Sequence, residues 1–300
     1  MSTKEKVIAL GFFDGVHLGH AALLRRTVEE ATKRGVIPAV FTFDRVPKEV
    51  VTGIPCPLIN CPEDRKDLLR RLYGIQEVIM VPFDQEMMTT AWDDYITELL
   101  VGRHHAVHLV AGHDHRFGHK NAGSPELLVQ KCAELGLGCD IIPKVEVGGL
   151  TVSSTYIRRL VELGQIDRAN RFLGHPHTLT GIVGHGRGIG SSRLFPTANI
   201  QLPPNVLVPS HGVYVTRVYL PDGTSYAAVT NVGTRPTVNN GADVTVEACL
   251  LDFEGDLYGK TLRLEFHSHL RQEVRFDSMD ALRAQIAADV ETTRAYFQNN

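Results

Sequence analysis

The sequence lacks the features of several large classes of protein. No run of about 18 apolar residues occurs, so we expect no membrane-spanning helix. Its five cysteines are scattered and form no Cys-x-x-Cys pair, which is typical of free thiols in a reducing compartment rather than of a disulfide framework. The polar N-terminus carries no apolar signal-peptide core. We therefore expect a cytoplasmic protein.

An excess of charge of one sign is also lacking. The 31 lysines and arginines nearly balance the 34 aspartates and glutamates, which leaves a formal net charge of −3. A domain that binds duplex nucleic acid usually carries a strongly basic face, and this composition indicates none. We expect small-molecule substrates, with no nucleic acid, no membrane and no obligate protein partner.

Short apolar runs alternate with helical patterns through the first half of the chain. This alternation predicts an α/β fold with a doubly wound parallel sheet, covered by helices on both faces. The expected strands are Val7–Leu10, Val36–Phe43, Val78–Phe83, Ala106–Ala111 and Cys139–Val147, and the expected helices are Leu18–Arg34, Pro62–Tyr73, Thr90–Val101 and Ser124–Leu135.

The pattern changes in the second half. Two short helices are expected over Ser153–Leu163 and Asp167–Leu173, and alternating strands then dominate. A small antiparallel β-barrel with a C-terminal helix fits this pattern. We place the domain boundary near residue 176, giving domains 1–176 and 177–300. Within one barrel strand, Val246 and Ala248 lie on one face and Glu247 on the other.

One strand-to-helix turn carries the strongest site signal, the stretch Gly11–His20. A helix N-terminus at the carboxyl end of a parallel strand offers N–H groups and partial positive charge to an anion. His17 and His20 are three residues apart and therefore share one face of the first helical turn. Two imidazoles aimed at a phosphate can stabilise charge that develops on a transferring phosphoryl group.

Two further stretches converge on the same edge of the predicted sheet. Residues 111–118 directly follow the fourth strand, and residues 153–158 follow the fifth and open a helix. Serine and threonine there can cap the helix or bond phosphate oxygens, and Arg158, one turn on, can pair with phosphates. Capping alone explains the serines equally well.

The barrel half holds two glycine-rich stretches. Residues 184–190 contain four glycines, and such segments can cradle phosphates through backbone N–H groups, although turns are often glycine-rich as well. The stretch Gly255–Thr261 is one residue short of a P-loop and lies between two alternating strands, so we interpret it as a turn.

Together these stretches resemble the bacterial bifunctional riboflavin kinase/FMN adenylyltransferase (FAD synthetase) family over nearly the whole chain. The motifs His17-Leu18-Gly19-His20 and Ser153-Ser154-Thr155-Tyr156-Ile157-Arg158 are similar to those of its Rossmann-like nucleotidyltransferase domain. The resemblance implies that the FMN phosphate attacks the α-phosphate of ATP, giving FAD and pyrophosphate. It implies catalytic roles for His17, His20 and Arg158, and ATP binding by Gly11, Phe12, Asp14, Gly15, His17, His20, Asp114, Ser154, Thr155 and Arg158.

The second half resembles the riboflavin kinase signature in Pro196–Asn199, Asn231–Thr237 and Leu270–Glu273. The resemblance implies phosphorylation of riboflavin to FMN, with Mg²⁺ as the metal and ATP as co-substrate. Glu247 is then the general base, and Thr197 and Asn199 bind Mg²⁺. The implied ATP and flavin contacts are Gly186, Gly188, Gly190, Thr197, Asn199 and Arg271.

The chain departs from the family at three places. Arg45-Val46-Pro47 stands where the family usually has Pro-His-Pro, near the flavin phosphate side. His115 stands where the family has Phe, and Leu194 stands where it has Gly. The stretch Arg45-Val46-Pro47 motivates an alternative in which the barrel phosphorylates riboflavin while the first domain only binds nucleotide.

Two alternatives belong to other classes. Fourteen histidines, including His113 and His115, motivate a metal-binding protein, but no His-Glu-x-x-His and no cysteine pair completes a site. A non-catalytic flavin carrier is the other alternative, and phosphate-binding motifs in both halves argue against it.

Overall fold

The computed structural model describes residues 4–184, 197–236 and 242–299. These residues form two compact units. The first contains the chain up to Leu58 together with Pro62–Ser154, and the second contains Ile59–Cys61 and the chain from Thr155 onward. The helices on either side of residue 163 are thus grouped with the second unit, while the boundary at residue 176 remains a prediction.

The first unit is built on a five-stranded parallel sheet. Its strand order is β3-β2-β1-β4-β5, so β1 is central and all five of its residues are buried. Val7 and Ala9 pack into one hydrophobic core and Ile8 and Leu10 into another, as expected for a sheet covered on both faces. The strands are β1 (Lys6–Leu10), β2 (Ile37–Phe43), β3 (Glu77–Val81), β4 (Ala106–Gly112) and β5 (Gly138–Ile142).

The structure confirms most of the helices predicted for this unit. The bounds of the helices Leu18–Arg34 and Pro62–Tyr73 are as predicted, since Gly35 and Gly74 end them in the left-handed conformation. The predicted helix Thr90–Val101 is instead a short α-turn that continues as a π-helix over Tyr95–Arg103. The helices are α1 (Leu18–Arg34), α2 (Pro47–Thr52), α3 (Pro62–Tyr73), α4 (Gln85–Thr89), α5 (Trp92–Asp94) and α6 (Pro125–Glu134).

The predicted strand Cys139–Val147 is wrong beyond Ile142. Pro143 follows β5 and cannot donate a ladder hydrogen bond, so the strand ends there. The chain then forms a hairpin of β6 (Glu146–Val147) and β7 (Leu150–Thr151). Its turn residues Gly148 and Gly149 have φ of 59° and 77°, the mirror-image turn that short hairpins favour.

The second unit holds a closed six-stranded antiparallel barrel, as predicted. Its strand order is β10-β11-β12-β9-β8-β13. Interior side chains such as Val246, Ala248 and Leu264 are almost fully buried. The elements are α7 (Ser154–Glu162), α8 (Ile166–Leu173), β8 (His177–Gly184), β9 (Ala198–Gln201), β10 (Gly212–Tyr219), β11 (Ser225–Pro236), β12 (Ala242–Leu250), β13 (Thr261–Arg271) and α9 (Met279–Asn299).

The C-terminal helix α9 covers part of the outer face of the barrel. Val290 of α9 packs with Val213, Val229 and Leu251 in a small hydrophobic cluster.

Candidate active sites

The turn between β1 and α1 has a strained backbone. Phe13 and Val16 have φ of 58° and 39°, a region that non-glycine residues rarely occupy and that is least favourable for a β-branched side chain. Gly15 has φ of 80°, which glycine adopts without cost. Strained backbone persists only where the surroundings over-determine it, and it concentrates at functional sites.

His17 and His20 meet as the sequence predicts. Their rings stack, with centroids 3.6 Å apart and an angle of 11° between planes. His17 is the N-cap of α1, and its Nδ1 accepts a hydrogen bond from the His20 backbone N at 3.3 Å. A neutral His17 with Nδ1 as acceptor carries its proton on Nε2. The His17 imidazole therefore takes the place of the usual Ser or Asp cap.

His20 is electrically neutral at pH 7. Burial lowers its pKa well below the usual value, and the nearby His17 and Arg65 lower it further. A neutral imidazole donates or accepts a hydrogen bond without adding net charge. Its part at a phosphate is therefore that of a positioned hydrogen-bonding group.

The second motif contacts this turn through Ser154. Its hydroxyl donates to the backbone carbonyl of Asp14 at 2.9 Å, and Asp14 itself is 1% exposed. Ser154 therefore supports the turn instead of pointing its hydroxyl outward. Thr155 and Arg158 continue α7 within the second unit, and their contacts with ATP remain predictions.

Arg65 is a residue that the sequence analysis missed. It is fully buried in α3, and its guanidinium donates to the carbonyls of Phe12 at 2.6 Å and Phe43 at 2.7 Å. The available signal was its position, because Arg65 lies three and four residues before the buried Leu68 and Leu69. A charged residue on the apolar stripe of a helix indicates a buried partner.

The first unit also contains a cavity of about 320 Å³ with aromatic walls. Pro47, from the segment that departs from the family pattern, lines it together with His115. The His115 ring stacks on Phe117 at 5.6 Å, and burial lowers its pKa to about 4. Asp114, in contrast, has an exposed side chain and does not line the cavity. The aromatic residues in the wall are Phe43, Phe83, Tyr95 and Phe117.

In the second unit, three polar side chains form a row across neighbouring strands. Glu247 of β12 is directly opposite Asn199 of β9 on one side and Asn231 of β11 on the other. Directly paired residues point to the same face, so the carboxylate is flanked by two amides on the outside of the barrel. Asn231 in turn donates to Glu273 at 3.2 Å. The row places Glu247 and Asn199 together, as the predicted kinase site requires.

A cavity of about 390 Å³ lies in the second unit. Thr197 and Ala198, at the start of β9, line it together with the turn Phe253–Tyr258. The stretch Gly255–Thr261 is a turn that leads into β13, as predicted, and no helix follows it. Its contribution to a cavity wall was not predicted, because nothing in its spacing distinguishes a lining turn from a connecting one.

Arg271 has a structural partner. Its guanidinium pairs with Asp289 of α9 at 2.8 Å, and Asp289 is 5% exposed. The predicted contact of Arg271 with ATP or flavin remains a prediction. Gly186, Gly188, Gly190 and Leu194 lie outside the described residues.

The metal-binding alternative gains no support from the described residues. Within 4–184, 197–236 and 242–299, no group of three or more His, Cys, Asp or Glu side chains is arranged to hold a metal ion. Over the same residues, no helix combines the length and the apolar character that crossing a membrane requires.

Comparison with known proteins identifies the family of this chain. A family model described as FAD synthetase matches residues 1–156, and one described as riboflavin kinase matches residues 173–297. The chain belongs to the bifunctional riboflavin kinase/FMN adenylyltransferase family. The Pseudomonas fluorescens member is 36% identical, with 96% of this chain and 92% of that protein covered. The Listeria monocytogenes member is 33% identical, with 98% and 93% covered.

A solved structure shares the fold. The crystal structure of a protein described as a macrolide-efflux protein from Streptococcus pneumoniae gives a TM-score of 0.86 at 30% sequence identity. The match covers 98% of this chain and 95% of that one. Because both family models match, the alternative of a kinase with a nucleotide-binding but inactive first domain is not favoured.

Proposed function

We propose that the chain makes FAD from riboflavin in two steps, each in its own unit. The barrel transfers the γ-phosphoryl group of ATP to riboflavin, and the first unit transfers the adenylyl group of a second ATP to the resulting FMN. The observation that carries the proposal is the stacked pair His17 and His20 at the start of α1, on a strained turn. A turn of this kind suits a phosphate-binding role better than a purely structural one.

In adenylyl transfer, the turn Gly11–His20 holds the phosphates of ATP. Oxygen of the FMN phosphate forms a bond to the α-phosphorus, and the bond from that phosphorus to the bridging oxygen of pyrophosphate breaks. His17 and His20 offer hydrogen bonds to the oxygens on which charge increases. Ser154 supports the turn through Asp14, and ATP contacts by Thr155, Arg158 and Asp114 stay predictions.

The flavin ring of FMN occupies the aromatic cavity of the first unit. The cavity volume of about 320 Å³ and the walls formed by Phe43, Phe83 and Tyr95 suit a planar, largely apolar ring system. Pro47 lines this cavity. The proposal therefore places the segment Arg45-Val46-Pro47, which differs from the family pattern, on the flavin side.

In the kinase step, Glu247 removes the proton of the riboflavin 5′-hydroxyl as that oxygen bonds to the γ-phosphorus of ATP. The bond from that phosphorus to the oxygen that bridges it to the β-phosphorus breaks, and ADP leaves. The amides of Asn199 and Asn231 flank the carboxylate on the barrel surface, and the carboxylate must lie within hydrogen-bond reach of the hydroxyl that it deprotonates. Thr197 is exposed and precedes β9 by one residue, so its hydroxyl and the Asn199 amide oxygen provide the oxygen donors that Mg²⁺ prefers. Bound there, Mg²⁺ would offset the negative charge of the phosphate oxygens.

We retain three finer predictions as part of this proposal: a boundary near residue 176, a cytoplasmic location and no obligate protein partner. None of them alters the assignment of one reaction to each unit.

A time course tests the proposal. Riboflavin and Mg-ATP are supplied, and riboflavin, FMN and FAD are separated at intervals. FMN should appear first and FAD later. In a parallel reaction started from FMN, FAD and pyrophosphate should form in equal amounts. No FAD above the blank would overturn the adenylyl-transfer half, and no FMN from riboflavin would overturn the kinase half.

A further inference from the structure

Arg65 joins the ends of two strands at the edge of the sheet that carries the turn. Phe12 follows β1 by two residues, and Phe43 is the last residue of β2. One guanidinium nitrogen donates to each carbonyl, at 2.6 and 2.7 Å. Charge-assisted bonds from a rigid guanidinium fork fix both the distance and the angle between their acceptors.

The Phe12 carbonyl receives a second hydrogen bond. The hydroxyl of Thr42, a fully buried residue of β2, donates to it at 2.9 Å. The Arg65 guanidinium also lies over the Phe12 ring, 4.4 Å from its centroid. Phe12 is therefore held through both its carbonyl and its ring.

The peptide held in this way is the first one before the strained part of the turn. Phe13, the next residue, has φ of 58°, and its ring lies 5.0 Å from the ring of His20. A change in the Phe12 carbonyl direction would therefore rotate Phe13 and move the surface against which His20 packs. The buried charge also lies close enough to His20 to affect its protonation.

We propose that Arg65 is a positioning residue for adenylyl transfer, which holds the strained turn so that His17 and His20 face the phosphates. It acts through the Phe12 carbonyl and touches no substrate. This inference rests on the proposed adenylyltransferase activity of the first unit.

Three variants test the inference. Arg65→Met removes both hydrogen bonds and the charge, and Arg65→Lys retains the charge without the fork. Arg71→Met is the matched control, because it makes the same change in the same helix at an exposed residue paired with Asp67. The assay follows FAD formation from FMN and ATP, with riboflavin phosphorylation by the barrel measured in every preparation.

We expect Arg65→Met to lower kcat for FAD formation about 100-fold, since misplacement by about 1 Å is enough for such a loss. The KM for ATP should change by less than about threefold. Arg65→Lys should have a kcat about tenfold higher than that of Arg65→Met, and the kinase activity of each variant should match wild type. Equal kcat in Arg65→Met and Arg71→Met would overturn the inference. If wild type itself makes no FAD, the proposed function fails instead.

Thr42→Val tests the same carbonyl by another route and guards against misfolding of Arg65→Met. It is nearly isosteric, and we expect kcat to fall about tenfold. In the double variant with Arg65→Lys, the two losses should be less than multiplicative, because both residues act on Phe12. The inference would be overturned if Thr42→Val and Arg65→Lys both kept the wild-type kcat, or if their losses of kcat multiplied fully in the double variant. Both outcomes can be measured whatever the stability of Arg65→Met.

Discussion

The two candidate sites differ in how they are assembled. In the first unit, His17 and His20 stack within a single helical turn, so the centre of the site comes from residues close together in the sequence. In the barrel, Asn199, Glu247 and Asn231 come from three strands and meet only because β9, β12 and β11 pair in that register. A local motif therefore identifies the first site, whereas strand register creates the second. The predictions below separate the two sites, from the largest expected effect to the smallest.

The largest effect is expected from replacing both His17 and His20 by Ala. Loss of two preorganised hydrogen-bonding groups at the reacting phosphate should lower FAD formation by about 10³-fold or more. Riboflavin phosphorylation should remain at the wild-type rate. Following both products in one reaction checks this, and loss of both activities would contradict the separation of the sites.

Glu247→Gln should produce the opposite pattern. Gln keeps the size of the side chain and its place between the two amides but cannot accept the proton, so the kinase rate should fall by about 10²- to 10⁴-fold. FAD formation from added FMN should be unchanged. The matched control is Glu273→Gln, which makes the same change in the carboxylate that accepts a hydrogen bond from Asn231. An equal loss in both variants would show that Glu247 acts through the row rather than as a base.

The sequence predicts local features well and long-range ones poorly. The bounds of α1 and α3 follow from glycines at their ends, and the His17–His20 pair follows from helical spacing. Alternation places Glu247 outside the barrel but does not identify its neighbours, since register is set by strands distant in sequence. The aromatic cavity of the first unit cannot be predicted from the sequence for the same reason, because separate loops and helices supply its walls.

Arg65 and β5 show two other limits. Charged residues in helices are usually solvated, so a buried arginine is found only by noticing that it shares a face with Leu68 and Leu69. The apolar run Cys139–Val147 looks continuous, yet Pro143 and the pair of glycines at 148 and 149 divide it into a strand and a hairpin.

A smaller effect concerns stability of the barrel in acid. His177 is fully buried, and burial, with the nearby His175, lowers its pKa to about 3. An unfolded histidine has a pKa near 6.5, so between these values the unfolded state binds a proton that the folded state does not. Stability present above pH 6.5 is therefore lost as the pH falls, by about 2 kcal/mol at pH 5.

The variant His177→Leu should flatten this dependence. Pulse proteolysis in urea at pH 7 and pH 5 resolves fragments of each unit and gives the unfolding midpoint of the barrel. The wild-type midpoint should fall at pH 5 and that of the variant should fall less. The same decrease in both proteins would assign the acid sensitivity to other groups.

The smallest effect is expected for Lys260→Ala, which tests whether the barrel also contains a local phosphate motif. In a P-loop the lysine opens a helix whose N–H groups surround the phosphates, whereas Lys260 is exposed and directly precedes β13. Its backbone N donates to Leu257 at 3.0 Å and closes the turn, an interaction that alanine keeps. The kinase kcat/KM for ATP should therefore change by about twofold at most, as for other surface substitutions.

Thr197→Ala, which removes a proposed Mg²⁺ ligand on the wall of the same cavity, should reduce the kinase kcat/KM for ATP much further. If Lys260→Ala lowered the kinase kcat/KM for ATP as much as Thr197→Ala does, phosphate binding in the barrel would depend on a contiguous stretch of sequence. The barrel site would then no longer differ in this respect from the turn Gly11–His20.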